Sequence, residues 1–132
     1  MIVIIWFVSQ NNIELNDVES ITLECIQACL SMENPPFNEK EFKEKVAIEV
    51  FLKAINNAEK MKGSLDYSAV FFMTLSLKNG DKIDYHLVIT NTDIPQRGLI
   101  LELPNTEQGY KISEKTTREL KELIYTTIPS IT

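Results

Sequence analysis

Between Tyr67 and Thr90 the chain alternates apolar and polar side chains in two runs rich in Phe, Leu, Val, Ile and Tyr, separated by Asn79 and Gly80. Such runs fit the pleated surface of a sheet, and the Asn-Gly pair between them predicts a β-hairpin. Side-chain faces settle the loop length. A two-residue loop would oppose Leu75 to Asp84 and Met73 to His86, mixing apolar and polar groups on one face. A three-residue loop of Lys78, Asn79 and Gly80 places Gly80 in the left-handed bulge position. It opposes Leu75 to Ile83, Met73 to Tyr85 and Phe71 to Leu87, which makes one face wholly apolar. The other face then pairs Phe72 with His86, Thr74 with Asp84 and Val70 with Val88.

Helical spacing governs Lys45 to Lys60, where Ala47, Val50, Phe51, Ala54, Ile55 and Ala58 recur as the stripe of an amphipathic helix, with Gly63 placed to end it. A last helix starts after Ser113, a good N-cap, with Glu114 in its first turn. Leu120, Leu123, Ile124 and Ile128 form its buried stripe and Pro129 marks its stop. Its Glu114–Arg118 and Arg118–Glu122 spacings predict surface ion pairs worth about 0.2–0.5 kcal/mol each. In Asp17 to Leu30 two periods compete. Val18, Ile21, Cys25, Ala28 and Cys29 suit a helix, whereas Ile21, Leu23 and Cys25 alternate as in a strand, the preferred reading. Asn34, Pro35 and Pro36 break that segment, and a short extended piece follows near Glu41 to Glu44. After a loop at Thr92 to Gly98, Leu99, Leu101 and Leu103 are expected to alternate inward on a further strand, with a short strand at Tyr110 to Ile112. The elements predict an α+β fold, a mostly antiparallel sheet of about five strands with two helices packed on one face.

Residues Met1 to Val8 form an unbroken apolar run, followed by the polar spacer Ser9 to Asn12. Eight residues fall short of the roughly 20 that span a bilayer, and no basic n-region precedes them. Two readings stand: the tail of a longer export or anchor segment, or a buried β-strand. Residues 13–132 then make one α+β domain. Membrane association follows only if the run belongs to a longer anchor.

The 132 residues, 44% apolar and 24% charged, describe an ordinary globular chain. A formal charge of -6 argues against a nucleic-acid surface, because phosphate binding needs clustered Lys and Arg, whereas the 13 basic residues here are dispersed among acids. Cys25 and Cys29 are too few for a disulfide framework or a zinc site. On a strand their Cα atoms would stand roughly 13 Å apart and they would be separate, inert thiols. On a helix they would lie one turn apart, where a strained bridge can be contemplated.

From Phe42 onward the order of residues resembles the YhfM-like domains, small exported or lipid-anchored domains of Gram-positive bacteria. The resemblance rests on EKVAIEVFLKAINNAEKMKGSLDY at Glu44 to Tyr67, KNGDKIDYHLVIT at Lys78 to Thr90, and YKISEKTTRELKELI at Tyr110 to Ile124. These are a helix, a hairpin and a capped helix. The resemblance implies a location outside the cytoplasmic membrane and an unassigned role, with no enzyme activity to carry over. The chain departs from an anchored precursor at its start, which carries neither a basic n-region nor a lipid-attachment cysteine.

His86 is the only histidine, which removes any His-pair metal site and leaves one imidazole base, with Asp84 on the same strand face to orient it. No glycine-flanked nucleophile elbow, P-loop or dinucleotide glycine pattern accompanies it. Asp81, Asp84 and Asp93 lack the dense oxygen ligands of a calcium loop and read as solvated turn carboxylates; Arg97 reads as a solvated loop arginine. No cofactor or metal is expected. The remaining feature is the outer sheet face, where Val70, Phe72 and Val88 accompany Thr74, Asp84 and His86; such a half-apolar face marks a partner surface or is covered by another part of the chain. The expected function is a non-catalytic extracytoplasmic module binding a protein, peptide or envelope component through that face. The alternatives are a small enzyme using His86 with Asp84 and a structural homodimer through the same face, and the alternative location is the cytoplasm.

Overall fold

The computed structural model describes residues 13–63, 66–92 and 94–126. The Met1–Val8 run, Asp93 and the Ile128–Pro129 helix stop lie outside the described residues.

Among the described residues seven strands form one antiparallel sheet: β1 Val18–Cys25, β2 Glu39–Phe42, β3 Glu59–Lys60, β4 Phe71–Leu77, β5 Lys82–Val88, β6 Leu99–Glu102 and β7 Tyr110–Lys111. Their spatial order is β2-β1-β4-β5-β6-β7-β3. The helices are α1 Gln27–Leu30, α2 Lys45–Asn57 and α3 Glu114–Tyr125, and a 3-10 turn at Leu15–Asp17 leads into β1. The α+β class is as expected; the sheet has seven strands rather than about five, and α1 adds a third helix.

The central hairpin takes the three-residue loop. Leu75 faces Ile83, Met73 faces Tyr85 and Phe71 faces Leu87, while Phe72 meets His86 and Thr74 meets Asp84 on the other side. Leu77 N–H donates to Asp81 O at 2.8 Å and Gly80 N–H to Leu77 O at 3.0 Å, with Gly80 at φ +98, a backbone region that glycine enters without a Cβ penalty.

The competing periods of the first segment belong to different halves of it. β1 runs through Cys25, the chain reverses at Ile26 and Gln27, the latter at φ 39, and α1 follows. That reversal brings the Cα atoms of Cys25 and Cys29 to 5.3 Å and joins them in a disulfide. The expectation of separate, inert thiols is therefore corrected; it assumed one regular element through both cysteines, and the corner between two elements closes the gap.

Two further expectations are corrected. Helix α2 stops at Asn57 instead of running to Lys60 with Gly63 to close it, because Ala58 turns extended and Glu59 and Lys60 pair with Lys111 and Tyr110 as β3. Backbone pairing at the sheet edge overrides a helix propensity worth only tenths of a kcal/mol per residue. In β6, Leu99, Leu101 and Leu103 do not alternate toward the helices. Leu87 faces Ile100 and Tyr85 faces Glu102, so Ile100 is on the helix side; His86 faces Leu101 and Val88 faces Leu99 on the opposite side.

Both long helices pack on the sheet face that carries Ile21, Leu23, Phe71, Met73, Leu75 and Leu87, all without exposed surface. Phe42 meets Phe51 of α2 with ring centroids 5.1 Å apart, and Phe71 meets Tyr125 of α3 at 6.1 Å. Burying each such side chain contributes about 1.5–3 kcal/mol, which makes this layer the main source of stability. The Ser113 cap forms as expected, its hydroxyl accepting from Thr116 N–H at 3.1 Å. The Glu114–Arg118 and Arg118–Glu122 pairs do not form; instead Glu119 reaches across to Lys53 of α2 at 3.4 Å and ties the two helices. The side-chain amide of Asn56 clasps both backbone groups of Ile13, each at 3.0 Å, and so fixes the entry of the chain beside α2.

Candidate functional site

Strand pairing places a continuous set of side chains on the sheet face away from α2 and α3. One row runs Glu41, Thr22, Thr74, Asp84, and the next runs Glu39, Glu24, Phe72, His86, Leu101. Val88 and Leu99 begin a third row. Period-2 alternation forces this arrangement: with the residues on either side turned to the core, these turn outward.

Five of the six expected surface residues are accessible on this face. Phe72, Thr74, His86 and Val88 are half-buried and Asp84 is exposed, but Val70 is buried, so it supports the patch from beneath rather than lining it. Leu101 is also fully buried although it faces away from the helices.

His86 and Asp84 do not form the pair expected of a base and its orienting acid. Asp84 Oδ1 accepts from the Thr74 hydroxyl at 3.2 Å. His86 Nδ1 instead meets the Tyr67 hydroxyl at 2.7 Å, with the two rings edge-on at 5.8 Å between centroids. Desolvation lowers the His86 pKa from its ordinary value and raises that of Tyr67, so both are held neutral near pH 7. Chemically the pair is an aromatic and hydrogen-bonding platform beside Phe72.

The strand expected from Tyr67 begins only at Phe71: alternation would have placed Tyr67 with Phe71 on the core face, but the segment before β4 has no regular structure and brings Tyr67 to His86 on the outer face. Glu24, Glu39 and Glu41 carry a legible signal: once β1 is a strand, alternation from Leu23 turns Glu24 outward, and the pairing of β2 adds the other two. The patch around Phe72 is thus bordered by the carboxylates of Glu24, Glu39, Glu41 and Asp84, with Glu41 3.9 Å from the Lys43 ammonium and Lys82 on the same face beyond Asp84.

Arg97 is not a solvated loop residue. Its guanidinium donates to the carbonyls of Ile112 at 3.1 Å and Lys111 at 3.3 Å and pairs with Glu59 at 3.0 Å, tying β7 and β3 together. Asp81 accepts from Asn79 within the hairpin turn. Among the described residues no group of three or more His, Cys, Asp or Glu side chains gathers as a metal would require, and no helix is long and apolar enough to cross a membrane.

Neither a curated protein nor a solved structure matches the chain. A family model described as YhfM protein matches residues 23–129, from within β1 past the end of α3. The match takes in the helix, the hairpin and the capped helix that carry the resemblance, and extends through most of the chain; this protein belongs to the YhfM family.

Proposed function

We propose that this domain is a non-catalytic extracytoplasmic module that binds a protein or peptide partner through the sheet face around Phe72. One observation carries the reading: both long helices pack on the opposite face, while here an aromatic centre of Phe72, His86 and Tyr67 is bordered by Glu24, Glu39, Glu41 and Asp84. A contiguous apolar patch rimmed by polar residues is the form an interaction site takes. The carboxylate border selects a partner that presents basic residues, since complementary charge steers encounter and suppresses wrong partners. The Cys25–Cys29 disulfide supports a location outside the reducing cytoplasm, where such bonds persist.

The test is photocrosslinking in the native cell, with a photoreactive residue in place of Thr74 and, as control, in place of the exposed Arg118 on α3. A defined adduct formed only from position 74, and lost when Phe72→Ala is added, supports the reading. Equal patterns from both positions, or an adduct indifferent to Phe72, would remove it.

A further inference from the structure

On the helix side of the sheet, beyond the end of α2, core residues and their partly buried neighbours leave a pocket of about 350 Å³. Its walls are Ile55 of α2, Ile83 and Tyr85 of β5, Ile100 and Glu102 of β6, and Tyr110 of β7. The volume sits at the lower end of the roughly 300–1,000 Å³ typical of small-molecule sites. Asn56 closes one side, but its amide is already committed to the Ile13 backbone.

The polar groups that remain are specific. Tyr85 is only 3% exposed and its hydroxyl bonds to no other described residue, but the oxygen is not sealed in the core, so it is open to pair with water or with a ligand in the pocket. Burial, with the Glu102 carboxylate nearby, raises its pKa and keeps it protonated throughout the physiological range. Among the described residues Glu102 is the one charged side chain lining the pocket, and it is exposed. An apolar wall, two tyrosine rings and a single carboxylate favour a cation and repel a carboxylate.

We propose that this pocket binds a small amphiphile whose apolar body lies against Ile55, Ile83 and Ile100 and whose ammonium head group meets Glu102 and the Tyr85 hydroxyl. The site is separate from the partner face: His86, next to Tyr85 on β5, points to the other side of the sheet, so either reading can fail alone.

The experiment is an amide chemical-shift titration of the isotopically labelled full chain with phenethylamine and, in parallel, with 3-phenylpropionate. Saturable shifts around Ile83, Tyr85, Ile100 and Tyr110 are expected with the amine and not with the acid. Tyr85→Phe, which keeps the ring, should weaken amine binding by about tenfold, the equivalent of one hydrogen bond. Glu102→Gln, an exposed change that leaves the fold intact, should narrow the difference between the two probes. No saturable shifts with the amine, equal binding of both probes, or through-space contacts from residues 1–12 to the Ile83 and Ile100 methyls that show the chain filling its own pocket would each overturn the proposal.

Discussion

Reducing the Cys25–Cys29 disulfide isolates one constraint without changing any residue. The bond closes a short loop, with a sequence separation of 4, over the corner where Gln27 sits at φ 39. Loop-closure entropy for so small a ring gives about 2 kcal/mol of stabilisation, through loss of freedom in the unfolded chain. The folded side is also engaged: Gln27 Oε1 accepts from Ala69 N–H at 3.2 Å, Ile26 N–H donates to Val70 O at 3.0 Å, and both sulfurs belong to buried residues. At a urea slope of about 2 kcal/mol/M the reduced protein should unfold about 1 M earlier than the oxidised one. Urea melts followed by circular dichroism, with and without a phosphine reductant, measure this directly, and mass spectrometry after alkylation in urea reports the thiol count in each sample. Coincident melts for samples verified as oxidised and reduced would refute the entropic argument. Two alkylated thiols in protein purified without reductant from an oxidising compartment would refute the bond itself.

Three other outcomes follow from particular contacts. Thr117→Val removes the hydroxyl that accepts from the buried Gly98 N–H at 2.8 Å, and leaving that donor unsatisfied should cost about 1–3 kcal/mol in a urea melt; a change within a few tenths of a kcal/mol would count against it. Gly80→Ala forces a Cβ onto a φ of +98 with open space around it, so the loss, about 1–2 kcal/mol, is purely conformational and should be no larger for Gly80→Ser. His86 has a folded pKa below its unfolded value, so the unfolded chain takes up the proton first. Its contribution is present above the unfolded pKa near 6.5 and is lost as pH falls through the lower folded value. Stability measured in steps from pH 7.5 to 5 should decline for the native chain and decline less for His86→Gln; identical profiles would show that burial of the imidazole does not control its protonation.

Much of the architecture was legible in the chain alone because it depends on short-range rules. Alternation in Phe71–Leu77 and Lys82–Val88 admits only one hairpin register that keeps the apolar side chains together, and Gly80 supplies the backbone that this loop requires. The apolar stripe of α2 and the Ser113 cap of α3 follow from helix geometry and end effects that act within a few residues. The same alternation exposed Phe72, Thr74, Asp84 and His86 together as a candidate surface.

What the chain alone did not decide depends on partners distant in sequence. The extent of α2 was set by β7, which draws Glu59 and Lys60 into an edge strand, and the facing of Leu99 and Leu101 was set by registry with β5. The disulfide needed the corner at Ile26 and Gln27, which arises where one element hands over to another. Tyr67 found His86 across 19 residues, Arg97 found Glu59 across the sheet edge, and the pocket beneath Tyr85 exists only once α2, β5, β6 and β7 are assembled. Local sequence specifies which face a side chain takes within its own element; which elements meet, and what lies between them, is decided by the packing of the whole.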